Sequence, residues 1–384
     1  MLLDPNAINL NTGSFGPLPR CVFERVTELR RRLAEEPMDF LLRDFPALLA
    51  PARQRLADFL RADPRRLAFT ANVTAGINLV AASLRLASPG ELLLSDHEYG
   101  AMVWCWERAA QRLGLTIRTF PLPHDAQSAE EIAAAARAAF TARTRLLFFS
   151  HVVSSTGLVL PARELCAAAR ERGILTAVDG AHAAAMLPVD LDAVGADFYA
   201  GNCHKWLLAP TGSGFLYFGP GATERVQPMQ TSWGWHYASS TADEPDEYGS
   251  TPRLRSFEFE GTRDPCPWLS VPTAIDFQQK LGWENVRQRI AELAQFVRQR
   301  MGQEGSLRLA TPSTKGLHGA LTAFELPPRL QPKAVRDALW HKFRIEAPII
   351  ERADRLLIRV STHFYNTEAE VDALAAALRV ILAD

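Results

Sequence analysis

The sequence predicts an α/β fold in which a mostly parallel sheet is flanked by helices and followed by a small α+β C-terminal domain. Up to residue 218, short apolar runs alternate with helical patterns. Several of these runs end in polar residues, which is typical of buried parallel strands that carry functional groups at their carboxyl ends. The strands predicted after residue 301 are 307–310, 321–326 and 355–360, and the helices are 333–343 and 368–383.

Composition limits the classes of function. The chain has 384 residues, of which 47% are hydrophobic and 22% charged, so it can build a large globular core. Its formal net charge of -1 provides no field that would attract nucleic acid or an anionic membrane. The five cysteines form no paired motif, and no apolar run approaches membrane-spanning length. We therefore expect a cytoplasmic protein with neither nucleic acid nor membrane as a partner.

Three parts of the chain are predicted. Residues 1–20 form an N-terminal arm, because their glycines and prolines disfavour a regular element. Residues 21–265 form a large domain, and residues 266–384 form a small one. An amphipathic pattern at about 271–301 predicts one long helix that bridges the two domains. Residues 219–256, in which Trp233, Trp235, His236 and Tyr237 precede a polar stretch, predict an active-site or interface loop.

The first candidate binding element follows a short strand at 67–69. The segment 70–78 leads into an apolar helix, and backbone N–H groups at the start of a helix form an anion site. An alternative is that Asn72 or Thr74 is simply the N-cap of this helix.

The next strand, 92–95, ends at the same predicted edge of the sheet. The His97-Glu98 pair after it lacks the second histidine of a zinc-binding H-E-x-x-H helix, since Ala101 occupies that position, and no metal site is predicted.

Two further strand ends carry the residues with the clearest chemistry. An apolar run at 174–178 ends in Asp179, and a run at 196–200 is followed by Lys205. A lysine that acts as an amine nucleophile needs its ammonium form disfavoured, and partial burial among apolar neighbours does this. Gly212-Ser213-Gly214 has Tyr217 where a third glycine would complete a dinucleotide-binding motif, so that function is disfavoured.

These motifs resemble the class V aminotransferase family of fold-type-I enzymes that depend on pyridoxal 5′-phosphate (PLP). The resemblance is carried by Asp179-Gly180-Ala181-His182, by His204-Lys205 and by Phe259-Glu260-Gly261-Thr262. The segments 11–17 and 261–265 are similar to the isopenicillin N epimerase branch, which is related to the cysteine desulfurases. The resemblance implies a seven-stranded sheet, with the PLP-binding domain at 21–265.

The resemblance also implies site residues. Lys205 would hold PLP as a Schiff base and act as general base, Asp179 would pair with the ring nitrogen, and His182 would contact the phenolic oxygen. The other cofactor-binding residues implied are Val73, Thr74, Tyr99, Ser154, Asn202, His204 and Thr262. Thr262 would reach the partner subunit's site in a homodimer with shared active sites. The substrate-binding residues implied are Arg359, Ser14 and Asn11, with Arg359 placed on a carboxylate.

The implied function is that of an epimerase-like enzyme. It would act on an amino acid or a derivative of one, through an external aldimine and deprotonation at Cα. Carbon–sulfur lyase β-elimination and transamination by the same family are alternatives, and a non-catalytic PLP-fold binding or regulatory protein is an alternative of another class. Persulfide-forming desulfurization is disfavoured, because no cysteine follows Cys266.

Overall fold

The computed structural model describes residues 1–123, 125–237, 250–352 and 355–383. The loop predicted at 219–256 lies only partly within these residues, which exclude 238–249. Its described part contains the short helix Trp233–Tyr237 and the start of the helix Pro252–Glu258. The strands are β1 (Ile8–Asn9), β2 (Leu67–Thr70), β3 (Glu91–Ser95), β4 (Thr116–Phe120), β5 (Thr144–Ser150), β6 (Leu175–Gly180), β7 (Phe198–Asn202), β8 (Gly214–Phe218), β9 (Arg308–Leu309), β10 (Leu321–Leu326), β11 (Ile345–Glu346), β12 (Ile349–Glu351) and β13 (Leu356–Ser361). The α-helices are α1 (Arg20–Glu35), α2 (Pro37–Asp39), α3 (Phe45–Leu60), α4 (Val73–Ser83), α5 (Gly100–Leu113), α6 (Ala129–Ala139), α7 (Ala162–Arg170), α8 (Leu191–Val194), α9 (Trp233–Tyr237), α10 (Pro252–Glu258), α11 (Cys266–Leu269), α12 (Val271–Leu281), α13 (Trp283–Gly302), α14 (Pro332–Phe343) and α15 (Glu368–Ala383).

A seven-stranded sheet forms the centre of the fold, in the order β2-β8-β7-β6-β5-β3-β4. Strand β8 runs antiparallel to both of its neighbours, and the other neighbouring pairs are parallel. Alternate residues of β5 enter different cores: Leu147 and Phe149 pack in one, and Leu146 and Phe148 pack in the other. Because helices cover both faces, the strand reads as an unbroken apolar run. The prediction of a mostly parallel sheet is confirmed.

A four-stranded antiparallel sheet, in the order β12-β13-β10-β9, lies in the C-terminal part of the chain. Its apolar residues pack with helices α13, α14 and α15 in a separate core. The N-terminal arm also contributes to this core through Leu10. Strand β1, which pairs in parallel with β11, is a short regular element in a segment where none was expected.

The long helix predicted at about 271–301 is two helices. Gly282 separates α12 from α13 with a φ of 87°, a left-handed value that glycine adopts without the steric cost of a Cβ. The prediction of one continuous helix is therefore wrong. The sequence suggested a single helix because the apolar periodicity resumes after the glycine. In the part of the chain that the structure describes, no helix combines the length and apolarity needed to span a bilayer.

Candidate active site

A cavity of about 520 Å³ opens at the carboxyl edge of the central sheet. Asp179 at the end of β6 lies opposite Ser150 of β5, and Gly180 lies opposite Gly201 of β7, so these strand ends meet in one place. All of the predicted site residues except Asn11 and Thr262 line the cavity: Ser14, Val73, Thr74, Tyr99, Ser154, Asp179, His182, Asn202, His204, Lys205 and Arg359.

Lys205 is partly buried at this edge, and its Nζ lies 3.4 Å from Nε2 of His182. Removal from water disfavours the ammonium, and the positive charge of Arg359 adds to this effect, so the pKa of Lys205 falls to about 8. The carboxylate of Asp179 opposes the fall but does not cancel it. The neutral amine that nucleophilic attack requires is therefore easier to form at Lys205 than at a solvent-exposed lysine.

Asp179 is fully enclosed at the end of its strand. One oxygen, Oδ1, accepts a hydrogen bond of 2.8 Å from the backbone N–H of Ala181. Burial raises the pKa of Asp179, while that hydrogen bond and the charge of Lys205 act in the opposite direction. A buried carboxylate of this kind is stabilised by a cation placed against it, so the site suits a protonated ring nitrogen.

The orientation of His182 is set by Trp206. The indole Nε1–H of Trp206 donates to Nδ1 of His182 at 3.4 Å. An indole N–H can only donate, so Nδ1 is the acceptor, and the proton of the neutral imidazole is on Nε2, toward Lys205. Burial and the nearby positive charges hold the pKa of His182 well below its usual value, which keeps the ring neutral. Sequence reasoning missed this role of Trp206, although its position directly after the lysine was a signal.

Among the described residues at the start of helix α4, which lines the cavity, one backbone donor is unused. Asn72 is the N-cap, and its Oδ1 accepts from the N–H of Ala75 at 2.8 Å. Oδ1 of Asn202 accepts from the N–H of Val73 at 2.9 Å. Within the described residues, no protein acceptor is bonded to the N–H of Thr74. That N–H and the positive end of the helix dipole fit a phosphate group.

His204 lies beside this helix end. Its Nδ1 donates to the carbonyl of Ser213 at 3.1 Å, and its ring stacks on Phe15 with centroids 6.4 Å apart. Burial lowers the pKa of His204. The arm that carries Phe15 packs closely here, since a Cβ at Gly16 would lie 2.1 Å from the carbonyl oxygen of Lys205. The sequence indicated the arm but not Phe15.

Arg359 on β13 enters the cavity from the other sheet. Its Nη1 donates to the carbonyl of Ser154 at 2.9 Å, and its Nη2 donates to Asn11 and Ser14, each at 3.1 Å. Its buried Nε has no hydrogen-bond partner. Among the described residues no carboxylate forms an ion pair with Arg359, and burial lowers its pKa to about 10. This guanidinium therefore suits an anionic ligand, such as a carboxylate.

The remaining predicted residues lie at the margin. Asn11 is outside the lining but is bonded to Arg359. Thr262 is exposed and lies outside the cavity. Tyr99 lines the cavity with about half of its surface exposed. Sequence reasoning assigned no binding role to several other lining residues: Gly13, Phe15, Asn72, Ser150, Val152, Ala181, Pro348 and Ile350.

The residues present fit PLP. The group needs an amine for covalent attachment, an acidic partner for its ring nitrogen and donors for its phosphate. The cavity supplies Lys205, Asp179 and the free N–H of Thr74 for these three needs.

Comparison with known proteins agrees with this chemistry. The isopenicillin N epimerases of Amycolatopsis lactamdurans and Streptomyces clavuligerus are 56% and 54% identical to the chain, and each match covers 98% of the chain and 96% of the relative. A solved structure of the cystine C–S lyase C-DES with cysteine persulfide has a TM-score of 0.85 at 27% identity and covers 97% of both chains. A C-DES variant with glycine covalently linked to PLP also has a TM-score of 0.85. Residues 17–374 match the class V aminotransferases, and the chain belongs to this family of PLP-dependent enzymes.

Proposed function

We propose that this protein is an isopenicillin N epimerase-like enzyme, which uses PLP to invert the configuration at the α-carbon of an amino-acid-derived substrate. The observation that carries the proposal is the Lys205 amine, which shares one cavity with the carboxylate of Asp179 and the guanidinium of Arg359. The identity of 54–56% to two epimerases over 98% of the chain supports epimerisation over the other reactions of the family.

PLP, when bound, supplies the electron sink that stabilises negative charge at the α-carbon. Asp179 keeps the ring nitrogen protonated, because its buried carboxylate favours a cation next to it. Lys205 holds the cofactor and then moves the α-proton, a role supported by its lowered pKa of about 8. The Nε2–H of His182 would be the donor to the phenolic oxygen of bound PLP, because the Trp206 indole donates to Nδ1 and leaves the ring proton on Nε2.

The remaining cofactor contacts follow from the same cavity. Thr74 and His204 bind the phosphate. The backbone N–H of Val73 donates to Asn202, and this bond fixes the start of α4. A phosphate beside His204 would raise the pKa of this histidine and allow both ring nitrogens to donate. The other contacts proposed are Tyr99 against the ring face and Ser154 near the phenolic oxygen.

Arg359 binds the substrate carboxylate. Asn11 and Ser14 accept from its Nη2, and the carbonyl of Ser154 accepts from its Nη1, which fixes the guanidinium plane at the cavity. A guanidinium held in one plane presents its charge and its remaining N–H donors in a fixed direction, so this contact orients the α-carbon as well as binding the substrate.

Carbon–sulfur lyase activity by β-elimination is the second candidate. It is supported by the likeness to C-DES and by 27% identity to a putative L-cysteine desulfhydrase of rice. A persulfide-forming route is disfavoured, because no cysteine lies among the described residues that line the cavity. Cys203, next to His204, is buried, and burial raises its thiol pKa well above the usual value.

We further propose a cytoplasmic homodimer with a large domain at 21–265 and a small domain at 266–384. The exposed position of Thr262, away from its own cavity, supports a contact with the partner subunit's site. The separate apolar cores of the two main sheets support the division into domains.

Incubation of the holoenzyme in deuterated water tests the reaction. Isopenicillin N of single configuration and a panel of small amino acids serve as substrates, with Lys205→Ala as the control. Epimerisation predicts deuterium at the α-carbon and a mixture of configurations in the unaltered enzyme only. Release of ammonia and a keto acid would indicate elimination, conversion of the cofactor to its amine form would indicate transamination, and absence of any turnover would favour a binding protein.

A further inference from the structure

A second carboxyl group lies buried beside the cavity, and the roles above leave it unused. Glu98 follows strand β3, and its side chain turns into the protein. Its Oε2 accepts from the hydroxyl of Ser150 at 2.6 Å, and its Oε1 accepts from the N–H of Ser150 at 3.1 Å. The hydroxyl of Ser95 also donates to Oε1. Three donors from two serines therefore hold this carboxyl in a fixed orientation.

Glu98 has no cationic partner. Within the described residues, none of the ion pairs includes it, and the three donors around it are neutral. The neighbouring His97 side chain bonds to Asp96 and Arg355 instead. A buried carboxyl group without a cationic partner is costly to ionise, so such a group is commonly protonated or interacts with another charge nearby.

The nearby charge is Asp179. Ser150, which holds Glu98, lies directly opposite Asp179 in the pairing of β5 with β6, and both line the cavity. Paired positions on adjacent strands are about 4.8 Å apart. Burial and the negative charge of Asp179 raise the pKa of Glu98 to about 7, despite the serine donors. The charge of Asp179 therefore acts on the titration of Glu98.

We propose that Glu98 is a positioning residue for the cofactor ring, acting through Asp179. In the empty site below about pH 7, Glu98 holds a proton, which leaves Asp179 as the carboxylate of the pair. When a cationic ring nitrogen binds to Asp179, Glu98 releases its proton to solvent, and its negative charge then helps to keep the ring nitrogen protonated. The inference rests on the proposed cofactor site.

Binding of pyridoxamine 5′-phosphate to the cofactor-free chain tests this inference. The probe has no aldehyde, so it forms no covalent link to Lys205, and the readout is affinity rather than activity. Equilibrium dialysis at about pH 6 and about pH 8 brackets the titration of Glu98. The proteins compared are the unaltered chain, Glu98→Gln and a control, Glu91→Gln. Glu91 is a buried carboxylate at the other end of the same strand, where it pairs with arginines away from the cavity.

The expected result is a difference in pH dependence. At about pH 6 the unaltered chain and Glu98→Gln bind the probe alike, because Glu98 is protonated. At about pH 8 Glu98→Gln binds about fivefold or more weakly than the unaltered chain, the lower end of typical coupling between sites. Glu91→Gln follows the unaltered chain. The protonation state of the probe changes with pH in the same way in all three experiments, so it does not contribute to the differences in affinity between the proteins.

Equal affinities of the unaltered chain and Glu98→Gln at both pH values would overturn the inference and leave the cofactor site intact. Absence of binding by every protein would overturn the proposed cofactor site and the inference with it. If circular dichroism shows that Glu98→Gln is unfolded, an infrared measurement on the unaltered chain replaces the binding comparison. Loss of the infrared band of a protonated carboxyl on probe binding at about pH 7 supports the inference, and an unchanged band refutes it.

Discussion

Replacing Lys205 by methionine should stabilise the cofactor-free protein. The folded state lowers the pKa of Lys205 from 10.5 to about 8, because the side chain loses contact with water and lies near Arg359. The difference between these values, at about 1.4 kcal/mol for each pH unit, corresponds to about 3 kcal/mol of unfolding free energy. Lys205→Met removes this cost, so we expect a gain of about 3 kcal/mol near neutral pH.

The gain should depend on pH in a defined direction. Below a pH of about 8 the lysine is charged in both states, and the folded protein bears the full cost. Between about 8 and 10.5 the folded state holds the neutral amine while the unfolded chain is still charged, so the cost falls as pH rises. Urea unfolding of both proteins across this range measures the difference.

Lys280→Met is the matched control, because Lys280 is exposed on helix α12. A surface substitution of this kind is expected to change stability by no more than about 0.5 kcal/mol at any pH of the series. Equal stability of Lys205→Met and the unaltered protein near neutral pH would refute the reasoning. A gain that does not shrink as pH rises would also refute it, since packing of the methionine rather than desolvation would then be its cause.

Three further predictions concern single contacts. Arg359→Lys replaces a planar fork by a point charge, so KM for a carboxylate substrate should rise roughly tenfold or more, while the absorbance of the bound cofactor stays unchanged. Trp206→Phe removes the donor to Nδ1 of His182, so kcat/KM should fall roughly fivefold. Nitrogen NMR should then show a mixture of His182 tautomers. A single unchanged tautomer would contradict the assignment of the proton to Nε2. Arg53→Met leaves the buried Glu258 carboxylate without its cation, so urea unfolding should show a loss of about 3–5 kcal/mol, and a loss below about 1 kcal/mol would contradict the importance of this pair.

The sequence could predict where the cavity forms, since it shows which residues end strands. Asp179 and Lys205 follow apolar runs, and the carboxyl ends of parallel strands meet at one edge of a sheet. The N-cap role of Asn72 was also predictable, because the residue directly precedes a helical pattern. Local chemistry and periodicity carry this information without knowledge of the tertiary structure.

Contacts between distant parts of the chain could not be predicted in this way. Asn11 bonds to Arg359 across 348 positions, and Glu98 bonds to Ser150 across 52, through side-chain orientations that only the folded structure sets. Strand β12, which brings Ile350 to the cavity, has three residues and is too short to show a period-two pattern. The break at Gly282 was hidden because both flanking helices have the same amphipathic pattern.

The central claim is that Lys205 is the residue that holds the cofactor. Borohydride reduction of the holoenzyme, followed by peptide mass spectrometry, tests it most directly, because reduction fixes the cofactor to the amine that carries it. We predict the cofactor-derived mass on the Lys205 peptide and its loss in Lys205→Ala. An adduct on Lys280, Lys315, Lys333 or Lys342 instead, or no adduct in the unaltered protein, would contradict the account.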